Sequence, residues 1–238
     1  MMPALSYDQV RQLNSYSIYT EEPTKPLFTL ANVQKDFYLN DFRNILMGIT
    51  NAATEAAAVS HFSRRYGMFV AMQFYMLAAY DEIWDGDFKD IRFAVVEEYG
   101  IRTFATFITA NDFRYVEDDE RERVITNILY KQCYEIIQQL RKTTTISPLT
   151  LWENFFGYML WHYHTLLENP ALADRAFEDL EILEDDNVWR YFSTKSLFKD
   201  YTGGVNPSQL INVPVRKSCC FSKDIPGLIA CGFCPVNK

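Results

Sequence analysis

The run from Tyr66 to Tyr80 is the longest apolar stretch in the chain, and only Gln73 interrupts it. On a helix these residues are apolar almost all the way around, which is typical of a helix buried on every side. The run is too short and too rich in tyrosine for an ordinary bilayer span. We therefore expect a central helix that other elements of the fold must surround.

More helices are predicted on both sides of this run. Ser6 can cap a short helix over residues 7–13. Ser147-Pro148 is a strong start for a helix that should continue to about Glu168, because a capping side chain precedes a proline at the first helical position. The other helical patterns begin near Asn40 and cover Ala52–Ser60, Asp118–Gln139 and Leu172–Glu184.

One part of the chain changes to the pattern of strands. Ile91–Glu97 and Ile101–Ile108 are rich in β-branched and aromatic residues, and Glu98-Tyr99-Gly100 separates them. This arrangement predicts a β-hairpin. Glycines and prolines between residues 203 and 214 predict an irregular path toward the carboxy terminus. The expected fold class is α+β: mainly helical, with a small antiparallel hairpin or sheet and an irregular C-terminal segment.

Size and charge exclude some functions. The chain has 238 residues and is 48% apolar, so it can bury a core without a disulfide or metal to hold it together. A net charge of −8 argues against general nucleic-acid binding. Residues 214–238 carry four basic side chains and one acidic one, a net charge of +3, which leaves −11 for residues 1–213. This segment is either a solvated basic tail or the counter-charge for an anionic cluster or ligand.

Four of the five cysteines lie between residues 219 and 234. The first residues, Met1–Asn14, lack the pattern of a signal peptide, so we expect a cytoplasmic protein. Structural disulfides are rare in the cytoplasm, and the cysteines are therefore expected to be metal ligands or redox thiols.

The cysteine spacing favours some centres over others. In Cys231-Gly232-Phe233-Cys234, one short turn can direct both sulfurs at a common centre. The side chains of Cys219-Cys220 are neighbours and diverge, which a two-iron centre tolerates better than a single zinc ion does. The residues alone leave open a [2Fe–2S] cluster, a zinc site and a thiol redox switch.

The pattern C-C-x₁₀-C-x₂-C, with Arg216 three positions before Cys219, closely resembles the terminal signature of the FhuF-like ferric-siderophore reductases. Two upstream segments also look like helices of that family. Ser147–Leu167 contains Trp152, Asn154 and Gly157-Tyr158, and His61–Tyr80 contains Arg64-Arg65-Tyr66.

This resemblance implies a function and an organisation. It implies an oxidoreductase that reduces a hydroxamate-type ferric siderophore in the cytoplasm and releases Fe(II). Residues 1–213 would form the mainly helical siderophore-reductase domain, and residues 214–238 its [2Fe–2S]-binding segment. The implied ligands of the cluster, which is both cofactor and metal centre, are Cys219, Cys220, Cys231 and Cys234.

We expect Arg216 to tune the cluster or to contact the substrate. The chain has no G-x-G-x-x-G or P-loop pattern, so electrons are expected from a separate ferredoxin, flavodoxin or their reductase. Peripheral contact with the inner membrane face is a further expectation. The resemblance assigns no residue that contacts the siderophore.

Other interpretations remain beside this one. The chain could be a zinc-stabilised siderophore- or protein-binding module, or a thiol redox sensor. A related interpretation is the carboxy-terminal part of a siderophore synthetase, and it ranks low because the chain lacks the length for the nucleotide-binding domain of that enzyme. His61, His162 and His164 are expected to have packing or surface roles, and Cys133 is expected to be a small buried hydrophobe. Arg64 and Arg65 would form ion pairs or bind an anionic chelate.

Overall fold

The computed structural model describes residues 5–33, 39–98 and 100–236. Its helices are α1 (Tyr7–Ser15), α2 (Leu30–Val33), α3 (Leu39–Thr50), α4 (Glu55–Tyr80), α5 (Arg121–Asn127), α6 (Glu135–Thr143), α7 (Pro148–Leu167), α8 (Ala173–Glu184) and α9 (Leu197–Thr202). Its strands are β1 (Ile18–Tyr19), β2 (Phe28–Thr29), β3 (Glu82–Trp84), β4 (Arg92–Glu98), β5 (Ile101–Phe107) and β6 (Phe113–Tyr115).

Helix α4 is the centre of the fold, and most of its side chains are buried. It joins the predicted alanine-rich and apolar helices into one. Thr54 caps its start by accepting a hydrogen bond from the Ala57 N–H at 3.1 Å. Asp81 follows its last turn in the left-handed conformation, with a φ of 53°. The all-round apolar pattern is thus confirmed as a central buried helix.

Helix α7 packs closely against α4. A Cβ atom on Gly67 of α4 would lie only 2.7 Å from Phe155 Cδ1 and 3.3 Å from the Asn154 carbonyl oxygen of α7. Glycine is therefore required at this crossing. Helix α7 begins where Ser147-Pro148 predicts, and Ser147 Oγ accepts from the Leu149 N–H at 3.2 Å.

The predicted helix over 118–139 forms a more complex element. It consists of α5, a π-helical stretch over Ile128–Tyr134, and α6. Tyr66 of α4 donates to the Gln132 carbonyl oxygen at 2.9 Å, so a main-chain acceptor of this stretch is bonded to another helix. A wider turn of this kind places an extra residue in the helix without ending it.

The predicted hairpin is confirmed. Strands β4 and β5 pair antiparallel, with Val95 opposite Phe104, and their turn includes Tyr99, which lies outside the described residues. β2 extends the sheet antiparallel to β4, and β1 pairs parallel to β5, giving the order β1-β5-β4-β2. β3 and β6 form a second, two-stranded antiparallel sheet. The short strands β1, β2, β3 and β6 were not predicted.

The core surrounds α4, and part of it lies between α4 and the larger sheet. The Phe62 ring of α4 is 5.0 Å from that of Phe93 and 5.9 Å from that of Phe104. After α9 the described chain forms only short 3₁₀ turns, at Pro207–Gln209 and Ser222–Asp224. The fold is therefore α+β and mainly helical, with small sheets and an irregular C-terminal segment. Across the described ranges, no helix combines the length and hydrophobicity that crossing a bilayer requires.

Candidate cysteine centre

Helix α4 holds the first half of the cysteine segment from one side. The Ser60 hydroxyl donates to the Cys220 carbonyl oxygen at 2.8 Å. Arg64, one turn later, donates to Ser222 Oγ at 2.7 Å. Near the start of the helix, the Ala53 N–H donates to the Asp224 carbonyl oxygen at 3.2 Å. These contacts hold Cys220 and the residues that follow it, up to Asp224, against α4 and the residues just before it.

Helix α7 holds the same segment from the other side, through the carboxylate of Glu153. Glu153 is fully buried, with 0% of its surface exposed. It accepts from the Lys217 N–H at 2.8 Å, from the Ser218 N–H at 3.1 Å and from the Ser218 hydroxyl. A buried charge thus binds the chain directly before Cys219, where main-chain donors and a hydroxyl satisfy its oxygens.

Arg216 is also buried and anchors the segment to α7. Its guanidinium donates to the carbonyl oxygens of Thr150 at 3.2 Å and Glu153 at 3.0 Å. It also donates to Asn154 Oδ1 at 3.0 Å and to the Ser218 carbonyl oxygen at 3.2 Å. Arg216 therefore positions the cysteine segment. Its expected role in tuning the cluster or contacting the substrate stays a prediction.

Asn154 connects the two helices beneath the segment. Its amide nitrogen donates to the Ser60 carbonyl oxygen at 3.2 Å, to Ser60 Oγ at 3.0 Å and to Ser63 Oγ at 2.7 Å. Since Asn154 Oδ1 accepts from Arg216, one amide bonds α4, α7 and the cysteine segment together. The network is buried, which strengthens its hydrogen bonds.

The four C-terminal cysteines differ in exposure. Cys220 and Cys234 are buried, whereas Cys219 and Cys231 are partly exposed. Cys219 Sγ accepts from the Phe221 N–H at 3.3 Å. The Cys234 N–H donates to the Cys231 carbonyl oxygen at 3.1 Å, which forms the short turn that the Cys-x-x-Cys spacing predicts.

Cys220 and Cys231 are brought together across the two halves of the motif. Contact with the Cys231 thiol, together with the guanidinium groups of Arg64 and Arg216, lowers the pKa of Cys220. Contact with Cys220 and burial raise the pKa of Cys231. The two thiols are thus coupled, so that loss of the proton from one makes loss of the other proton harder.

The structure does not gather the four sulfurs into one ligand set. Within residues 5–33, 39–98 and 100–236, no three His, Cys, Asp or Glu side chains are grouped as metal ligands would be. The assignment of all four cysteines as ligands therefore stays a prediction. What the structure does place together is the pair Cys220 and Cys231, which contains one cysteine from each half of the motif.

The environment of this pair fits an anionic metal–thiolate centre in ligand chemistry and in charge. Soft thiolates are the ligands of iron–sulfur clusters, and Arg64 and Arg216 supply positive charge. Among the described residues, no carboxylate pairs with Arg64. Its neighbours are the Ser222 hydroxyl, Tyr158 and the two thiols.

A small cavity of about 110 Å³ lies beside Cys231, and Arg64, Tyr158, Trp161, Arg216 and Phe233 also line it. Sites that enclose small molecules usually measure about 300–1,000 Å³. The space beside Cys231 is therefore too small to enclose a large chelate.

Sequence reasoning did not find Ser60 and Glu153, which hold the cysteine segment, although it named Arg64 as a possible binding residue for an anionic chelate. Ser60 and Arg64 of α4 lie four residues apart, as do Glu153 and Gly157 of α7, so each pair lies on one helical face. A polar side chain in an otherwise apolar helix was the available signal. It does not reveal which other segment the polar face holds.

The remaining candidates have structural roles. Arg65 forms an ion pair with Glu98 at 2.9 Å, and Cys133 is buried in the π-helical stretch, as expected. His61 is buried and bonded to Thr103 Oγ1 at 3.0 Å. His162 is buried against the ring of Tyr16, at 4.3 Å between centroids.

No protein-family model matches the chain, and a comparison with curated proteins finds no match either. The resemblance to the ferric-siderophore reductases therefore depends on the motif residues themselves.

Proposed function

We propose that this chain is a ferric-siderophore reductase that holds a [2Fe–2S] cluster with Cys219, Cys220, Cys231 and Cys234. The substrate class is a ferric siderophore, with hydroxamate-type chelates as the first choice. The observation that carries the proposal is the pair Cys220 and Cys231, which lies near the guanidinium groups of Arg64 and Arg216.

The charge of Arg64 is the main reason why this cysteine pair supports an anionic centre. Arg64 is partly buried, and a charge that has lost part of its water is stabilised by a compensating anion. In the described part of the chain, Arg64 has no carboxylate partner, and the thiols of Cys220 and Cys231 are among its few possible anionic neighbours. Arg216 is 5% exposed and approaches the same pair. Arg216 pairs with Glu153 at 3.7 Å, so the positive charge that no carboxylate offsets among the described residues is that of Arg64. This excess charge favours a centre that is more negative than a neutral thiol pair.

The chemistry of iron release fits such a centre. Ferric iron is a hard cation that hydroxamate oxygens hold tightly, and ferrous iron binds the same oxygens far less well. A bound [2Fe–2S] cluster supplies one electron at a time. One electron converts Fe(III) to Fe(II), and the freed hydroxamate oxygens take up protons from water.

The exposure of two cysteines and the lack of a nucleotide-binding motif indicate the kind of electron donor. Cys219 and Cys231 are partly exposed, so a protein donor can approach the cysteine segment closely. The sequence lacks a dinucleotide-binding fingerprint. We therefore assign the donor role to a ferredoxin, a flavodoxin or their reductase. In this proposal the protein acts in the cytoplasm, with peripheral contact at the inner membrane face where siderophores arrive.

The experiment is anaerobic purification followed by measurement of iron, acid-labile sulfide and the electron paramagnetic resonance spectrum of the reduced protein. Equal amounts of iron and sulfide, with two of each per chain, are expected. A colourless protein with one zinc ion would instead favour the binding module. Release of Fe(II) from a ferric hydroxamate, followed with a ferrous trap, should need a ferredoxin system, and NADPH alone should give no turnover.

A second function is favoured by the contact between Cys220 and Cys231. A thiolate beside a thiol is the arrangement from which a disulfide forms when an oxidant accepts two electrons. A metal-free protein that forms this disulfide reversibly would be a thiol redox sensor. Mass spectrometry of the oxidised protein, before and after a reductant, distinguishes this function from the cluster.

A further inference from the structure

The hydroxyl of Tyr201, on α9, is an unsatisfied polar group beside the cysteine centre. Tyr201 is 6% exposed, and its hydroxyl has no hydrogen-bond partner among the described residues. Buried hydroxyls are usually bonded, because an unpaired donor has lost its water without replacement. The donor of Tyr201 is therefore available to a group that binds at this place.

The surroundings of the hydroxyl show where such a group would lie. A Cβ atom built on Gly157 of α7 would lie 4.0 Å from the Tyr201 hydroxyl oxygen and 3.4 Å from the ring of Phe233. Phe233 is inside the Cys231–Cys234 turn. The hydroxyl thus lies where this turn meets α7, and glycine at position 157 leaves the space between them open.

The ionisable neighbours of Tyr201 point to the same centre. They are Arg216, Glu153, Cys231 and Cys220. Glu153 already accepts hydrogen bonds from Lys217 and Ser218, and Arg216 is a donor only. Among these ionisable neighbours, the acceptors left for the Tyr201 hydroxyl, which burial keeps protonated, are therefore the cysteine sulfurs.

We propose that Tyr201 is a positioning residue whose hydroxyl donates a hydrogen bond to a thiolate sulfur of the metal centre at Cys220 and Cys231. This inference rests on the proposed function. A donor to sulfur stabilises negative charge, and the reduced cluster carries one more negative charge than the oxidised one. The bond therefore raises the reduction potential of the centre.

Tyr201→Phe tests this role, and Tyr163→Phe is its matched control. Both residues are buried, and both hydroxyls are unpartnered in the described part of the chain. The ionisable neighbours of Tyr163 are Asp179 and Arg121 and include no cysteine. Each substitution removes one oxygen and keeps the ring, so the fold and the iron content should be preserved.

The measurement is a redox titration of each anaerobically purified protein, monitored by electron paramagnetic resonance. Tyr201→Phe should shift the potential downward relative to wild type, and Tyr163→Phe should leave it in place. A purely structural role of Tyr201 would change stability without this shift.

The possible failures are distinguishable. If the wild-type protein contains no iron and sulfide, the proposed function fails, and the role of Tyr201 fails with it. If all three proteins carry the cluster and Tyr201→Phe has the wild-type potential, only the role of Tyr201 is overturned. The same conclusion holds if both variants shift equally, because the effect would then not come from the position of the hydroxyl.

Discussion

Glu153 shows how a single buried charge can position a functional segment. Its carboxylate accepts from two main-chain N–H groups before Cys219 and lies 3.7 Å from Arg216 Nε. Glu153→Gln keeps the side-chain volume but removes the negative charge. It also places the amide NH₂ of glutamine, which is a donor, against the N–H donors of Lys217 and Ser218. We expect a loss of about 3 kcal/mol in the free energy of unfolding, because the substitution leaves Arg216 buried without its counter-charge.

Urea denaturation measures this loss, and Glu181→Gln on the exposed face of α8 is the control. The control should change the free energy of unfolding by less than about 0.5 kcal/mol. Equal stability of the two variants would show that Glu153 does not hold the segment.

A second prediction at the scale of single residues concerns the cysteines. Replacing any one of Cys219, Cys220, Cys231 or Cys234 by serine should remove most of the bound iron and sulfide, because serine lacks the soft sulfur ligand. Cys133→Ser is the control, since Cys133 is buried in the π-helical stretch on another element. Iron and sulfide analysis of the five variants checks this. Full occupancy in Cys220→Ser would contradict the four-ligand assignment.

At the scale of elements, the site depends on how closely α4 and α7 approach. Gly67→Ala would place a methyl group 2.7 Å from Phe155 Cδ1, and overpacking of this kind costs about 1–3 kcal/mol. Gly48→Ala in α3 meets no atom within 4 Å and should stabilise the protein by about 0.5–1 kcal/mol. Thermal denaturation of both variants should therefore show shifts of opposite sign. A stabilised Gly67→Ala protein would show that the crossing is not tight.

The elements that the sequence predicts well carry local signals. Ser6, Thr54 and Ser147 each cap a helix through their own side chains, and runs of β-branched and aromatic residues predict β4 and β5. Strands of two residues, such as β1 and β2, contain no period to detect. The position of β1 depends on pairing with β5, and that of β2 on pairing with β4. Pairing with a strand far away in the sequence produces no recognisable residue pattern in so short a segment.

The residues of the candidate site also fall into those that a local sequence pattern predicts and those that it does not. The motif locates the four cysteines and Arg216, because their spacing is local in the sequence. Ser60, Glu153 and Tyr201 become part of the site only through tertiary contacts, from helices that begin far from the cysteines along the chain. The π-helical stretch is also tertiary in origin, since Tyr66 of α4 binds its carbonyl at Gln132.

For the whole molecule, two buried histidines couple stability to pH. Burial lowers the pKa of His162 to about 3, and burial together with Arg64 and Arg65 lowers the pKa of His61 to about 3. In the unfolded chain both titrate near the ordinary value of 6.5. Between these values the unfolded state binds more protons than the folded state, so stability is full above about pH 6.5 and falls as the pH decreases.

His162→Phe isolates one of these contributions. Its ring lies between Tyr16 and Tyr75, with centroids 4.3 and 5.3 Å away, and neither ring nitrogen has a partner among the described residues. Phenylalanine can fill this apolar space, and it has no group that binds a proton.

Between about pH 6.5 and 5, above the ordinary carboxyl range, the free energy of unfolding of the wild type should fall more steeply than that of the variant, by up to about 1.4 kcal/mol per pH unit. Urea denaturation of both proteins across this window measures the two slopes. Because His61 remains, the variant should keep part of the slope, and identical slopes would show that His162 is protonated equally in the folded and unfolded states.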